Sequence, residues 1–111
     1  MFVSSSSMHI PYARFVAALE ARDLPFILRH ADTLAFGLPD AVRVCVLVSE
    51  QAPERLEAAC VRWIRRFAAE AAHQRWNDYK LIVEAFDALP GAPELAADHL
   101  LTLCRARALD R

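Results

Sequence analysis

The sequence predicts an α+β domain, with elements in the order α-β-β-β-α-β-α and a mixed four-stranded sheet packed by helices. Three observations carry that expectation. Between positions 42 and 49, Val42, Val44, Val46 and Val48 alternate with Arg43, Cys45, Leu47 and Ser49, the two-residue period of a strand. Both faces of this segment turn apolar toward its end, as a strand central in a sheet would. Leu56, Cys60, Trp63, Ile64, Phe67 and Ala71 instead recur at helical spacing. A hydrophobic fraction of 56% over 111 residues is enough for one core and argues against a disordered chain.

The elements follow in order. Pro11 suits the first turn of a helix, and Tyr12, Phe15, Val16 and Leu19 give it an apolar stripe as far as about Arg22. Asp23-Leu24-Pro25 ends it. Positions 26–30 read as a short strand and 34–38 as a second, in which Leu34, Phe36 and Leu38 share a face. Pro39-Asp40 reads as a turn before the third strand. Pro53 opens a long helix expected to reach about Gln74, with Glu54 and Glu57 near its positive end. Asn77-Asp78 breaks it, 79–86 reads as the fourth strand, and Leu89-Pro90-Gly91 as a loop. Pro93 starts a last helix carrying Leu95, Leu100, Leu103 and Cys104. Residues 1–8 form an expected disordered, serine-rich tail, with Met8 as an alternative start, and 9–111 a single domain.

Net charge near zero gives no global field to attract nucleic acid or anionic lipid. Lys80 is the sole lysine, and with abundant arginine and alanine the composition fits a GC-rich bacterial source. Three scattered cysteines, Cys45, Cys60 and Cys104, have neither disulfide-framework nor zinc spacing and point to a reducing cytoplasm. No apolar run approaches the ~20 residues needed to span a bilayer, and the N-terminus lacks the marks of a signal peptide.

From the first helix to the fourth strand, this element order resembles the PD-(D/E)XK nuclease superfamily. The resemblance implies an acid opening the second strand, where Asp32 stands, and a (D/E)-x-K pair on the third, where Cys45 and Leu47 stand. Magnesium needs oxygen ligands, and leucine carries no transferable proton. The resemblance therefore implies an inactive nuclease-like domain. Glu50 and Lys80 could restore a site only from unexpected positions, because Glu50 sits at the strand's exit and Lys80 begins the next.

Other chemistry-bearing residues assemble no reactive pattern. His30 and Asp32 flank Ala31 and fit a polar turn better than an acid–base pair. His99 and Cys104 are five apart and point about 140° from one another on a helix, so no metal or cofactor is expected there or with His73. Ser49 lacks a nucleophile-elbow context, and Gly37 and Gly91 alone cannot build a phosphate loop. The candidate binding residues are Arg62, Arg65 and Arg66 on the long helix, Trp76 and Tyr79 at its end, and Leu101 on the last helix, whose leucines cover more than one side.

The expected function is thus non-catalytic: a protein-binding, adaptor or regulatory module of a bacterial multi-component system, acting through a protein partner or self-association. One alternative is a nucleic-acid-binding domain on a decayed nuclease scaffold, using the arginines. Another is a small immunity- or chaperone-like protein.

Overall fold

The computed structural model describes residues 11–31 and 36–109. Among these residues every regular element is a helix. They are α1 (Tyr12–Glu20), α2 (Leu24–Arg29), α3 (Leu38–Gln51), a 3-10 turn at Pro53–Arg55, α4 (Leu56–Glu70), α5 (Trp76–Ala88) and α6 (Pro93–Ala106). The expected α+β class and its four-stranded sheet are therefore overturned. The chain divides into two compact units, one ending at Phe36 and one beginning at Gly37. The expected tail at 1–8 lies outside the described residues.

The N-terminal unit is built on α1 and α2. Asp23 accepts a hydrogen bond from the Phe26 N–H at 3.2 Å and so caps α2. With Pro25 in the first turn, this turns the expected strand at 26–30 into a helix. Phe15, Leu19, Leu24 and Ile27 are buried, and Phe15 stacks on Phe36 with ring centroids 4.4 Å apart. The Arg14 guanidinium lies over the Phe26 ring, 5.5 Å from its centroid. Of the expected second strand, Phe36 belongs to no regular element and Leu38 begins α3; 34 and 35 lie outside the described residues, as does Asp32.

The C-terminal unit is a cycle of four helices: α3 packs on α4 and α6, and α5 packs on α4 and α6. The expected third strand is the middle of α3. Gly37 is its N-cap, Pro39 sits in its first turn, and Asp40 lies where a negative charge favours a helix; both had the appearance of turn residues. Leu38, Ala41, Val42, Cys45 and Val48 are buried at helical intervals, while Val44 and Val46 are half-buried. A helix apolar nearly all round shows alternation over eight residues as readily as a strand does. Four valines cost only a few tenths of a kcal/mol each in helix propensity, which side-chain burial at roughly 1.5–3 kcal/mol outweighs. Cys45 and Leu47 thus lie on a helix, and the strand order behind the nuclease resemblance is absent among the described residues.

The expected fourth strand is α5. Ile82, Ala85, Phe86 and Leu89 are buried at i, i+3, i+4 and i+7, the spacing of one helical face. The Arg75 N–H donates to the Asp78 carboxylate at 2.8 Å, which closes the N-terminus that Asn77-Asp78 had marked as a break. The long helix is shorter than expected: the 3-10 turn precedes it, and it ends at Glu70. Beyond that end the Gln74 amide donates to the Ala68 carbonyl at 2.9 Å. The first and last helices match the expectation closely.

The core of this unit centres on Trp63, Phe67 and Phe86. Trp63 stacks near Phe67 at 5.7 Å and lies 6.0 Å from Phe86 between centroids. Its buried indole N–H donates to the Leu38 carbonyl at 3.2 Å, tying α4 to the start of α3. Two helix ends, α1 and α6, close with a left-handed residue that is not glycine: Arg22 at φ 58° and Ala108 at φ 63°. After each, the next N–H reaches back five residues, Asp23 to Ala18 and Leu109 to Cys104, as in a Schellman cap.

Glycine adopts this conformation without the Cβ penalty. Ala108 is exposed, so Ala108→Gly removes no packing. It is expected to raise folding stability by about 0.5–1 kcal/mol in urea denaturation. A loss of stability would show that the cap is not formed.

Candidate docking face

Among the described residues of the C-terminal unit, a groove with a volume of about 220 Å³ lies between α5 and α6. From α5 it is lined by Leu81, Glu84, Ala85 and Ala88, the i, i+3, i+4, i+7 set of one helical edge. From α6 come Leu95, Ala96 and His99. The alanines make a low floor and the leucines the walls. Leu95 is 60% exposed and Leu81 38%, so large apolar walls face solvent. The groove is smaller than the ~300–1,000 Å³ of ordinary small-molecule sites.

A charged clasp fixes α5 against the end of α6. Arg107, just past α6, donates to Asp78 through Nε at 2.7 Å and Nη2 at 2.9 Å. This fork is the strong bidentate form of an ion pair. Ala72 donates its N–H to the Arg107 carbonyl at 3.1 Å, so the same residue also holds the α4–α5 connection. The Arg107 hydrogen bonds hold the Asp78 carboxyl below its ordinary value, helped by the Arg75 N–H and opposed by burial. Asp78 raises the Arg107 guanidinium in return. No buried side-chain nitrogen or oxygen among the described residues lacks a hydrogen bond.

Between positions 80 and 102, the exposed charged residues are Glu84, Asp87, Glu94 and Asp98 against Lys80 alone. On α4, Arg62 and Arg65 are exposed beside Ala58, Val61 and Ala68, while Arg66 pairs with Glu70 at 3.0 Å. Of these acids Glu84 lines the groove and Asp87 acts on Cys60 of α4, while α4 carries the exposed Glu57 beside Arg62 and Arg65.

The residues expected to bind fall into separate places. Arg62, Arg65 and Arg66 share α4. Trp76 opens α5 and is 87% exposed. Tyr79 is a bracing residue at the α4–α5 corner: its ring meets Phe67 edge-on at 5.6 Å and its hydroxyl donates to Gln74 Oε1. Leu101 is half-buried on α6 and does not line the groove. The groove itself was invisible to sequence reasoning that took 79–86 as a strand. Its signal, the spacing of Leu81, Glu84, Ala85 and Ala88, becomes legible only once α5 is a helix.

Groups with possible chemistry are placed as follows. Burial pushes the Cys45 thiol up to about 12 and the Cys104 thiol up to about 11. Cys60 is raised by burial first, then by Asp87 and Glu57. At neutral pH none of the three is an activated thiolate. His30 lies in the N-terminal unit with its ring 4.5 Å from that of Phe26; Asp32, its expected partner, lies outside the described residues. Among the described residues no three His, Cys, Asp or Glu side chains form a metal-holding group. None of the described helices is long and apolar enough to cross a membrane.

Comparison with family models, with curated proteins and with solved structures finds no match for this chain.

Proposed function

We propose that the protein is a non-catalytic binding module that holds a protein partner on the α5/α6 face. The observation that supports this reading is the exposed apolar wall of Leu81 and Leu95 above an alanine floor. Exposed apolar surface around a concave site is the usual mark of a protein-binding groove. A partner helix laying its apolar stripe into such a groove is a common recognition mode, and it uses small floor residues for close approach. The clasp between Asp78 and Arg107 supports the reading further, because it holds α5 and α6 in register and spares the groove much rearrangement on binding.

A photo-crosslinking side chain at position 95 tests this. Illuminated in extract of the native cell, it is expected to give a discrete protein adduct. The same probe at Glu20, an exposed position on α1, is expected to give none of that adduct. Equal adducts at both positions, or none at 95, would remove the support for a docking face.

A further inference from the structure

We infer that the occupant of the α5/α6 groove is α4 of a second copy of this chain, joined head to tail. The inference rests on the reading of the groove as a protein-docking face and names its partner.

Charge complementarity selects α4. Glu84 lines the groove on the α5 side, and Asp98 lies one turn beyond Leu95 on α6. The two banks thus carry one carboxylate each, on helices that pack at roughly 8–10 Å. An incoming helix needs a narrow apolar ridge with cations beside it. On the outer side of α4, Ala58, Val61 and Ala68 are small and exposed, Val61 to 43%; Arg65 stands on the same stripe between Val61 and Ala68, Arg62 lies beside it, and Glu57 sits one turn before Val61. Among the described residues neither Glu84 nor these two arginines has an ion-pair partner. Arginine also offers the planar fork that grips a carboxylate with two hydrogen bonds.

The same charges argue against the symmetric alternative. Packing the α5/α6 face on its own copy brings Glu84 and Asp98 toward the same two carboxylates of the second copy, and like charges across an interface are repulsive. A head-to-tail contact instead places acid against base at every junction. In the four-helix cycle α4 lies diagonally opposite α6, so using one face leaves the other open. Such a contact is heterologous and propagates until it closes into a ring or extends as a chain. One helix laid on two is a small interface, which places its affinity in the micromolar range.

The test is sedimentation velocity on the full chain at concentrations up to roughly 200 µM, a range that populates micromolar contacts. Wild type is expected to show species larger than the monomer that grow with concentration. The variant Arg62→Glu/Arg65→Glu and the variant Glu84→Arg/Asp98→Arg should each associate at least tenfold more weakly. An equimolar mixture of the two is expected to associate again, because each supplies a charge matching one the other has reversed. Recovery in the mixture also shows that both variants are folded. A monomeric wild type at the highest concentration, or association untouched by either variant, overturns the inference. A crosslink from position 95 to a different protein, with wild type monomeric, overturns the second copy as occupant and leaves the docking face standing. Absence of both association and crosslink removes the two together.

Discussion

Phe67→Ala is expected to cost about 3–5 kcal/mol of folding stability, the range for deleting a fully buried phenyl ring from a core. Phe67 is inaccessible to solvent and touches rings from two directions, with Trp63 along α4 and Tyr79 edge-on from α5. Its removal leaves a cavity where α4 and α5 meet, and alanine has no atoms to fill it. A domain of this size is stable by about 5–15 kcal/mol in total, so the variant should unfold at far lower urea or lie near its midpoint without denaturant. Phe67→Leu, which retains most of the volume, should recover much of the loss. A cost below about 1 kcal/mol for the alanine variant would place Phe67 outside the core.

The second large effect belongs to Asp78. Asp78→Asn keeps the shape of the side chain but removes the charge that Arg107 grips and weakens the cap on Arg75 N–H. Hydrogen bonds to charged groups contribute about 1.5–3 kcal/mol. Because solvent reaches Arg107, the lower end of that range is expected. The pH dependence has a definite sign. The folded Asp78 carboxyl titrates below its ordinary value, so its contribution is fully present above the unfolded value of about 4. It is lost as pH falls further, through the folded value, since the unfolded chain then binds the proton more readily. Wild type should therefore lose stability more steeply than Asp78→Asn below about pH 4, and the two curves should run parallel above it. Curves parallel throughout would mean that the clasp contributes nothing. Adding Arg107→Gln to Asp78→Asn should cost less than the sum of the two single changes, as partners in one interaction do.

How much of this was legible in the sequence depends on the segment. For α1 and α6 the apolar spacing is sparse enough that only a helix puts Phe15 with Ala18 and Leu19, or Leu100 with Leu103 and Cys104, on one face. Asp23 before Leu24-Pro25 is a helix start without a visible period behind it, because a six-residue helix is too short to show one. In α3 the period itself misleads: every position from 44 to 48 is apolar, so any face chosen at any spacing there is apolar too. In α5, Asn77-Asp78 reads as a breaker because aspartate favours helix ends, and it does stand at an end, the first turn of α5. The groove was hidden for the same reason, since a strand at 79–86 separates Leu81 from Ala88 and sends Glu84 elsewhere.

By itself the sequence determined the positions of the first and last helices and the basic stretch at Arg62, Arg65 and Arg66. Each of these follows from local chemistry: apolar side chains leave water, and proline opens a helix wherever the chain allows. The class of the fold, the pairing of Asp78 with Arg107 across twenty-nine positions and the groove between α5 and α6 were decided only by tertiary packing. A valine-rich segment satisfies its backbone hydrogen bonds as well in a helix as in a sheet, so the outcome turns on which neighbours can cover its side chains. For α3 those neighbours are α4, next along the chain, and α6, the last helix; for α5 they are the helices on either side of it in the chain.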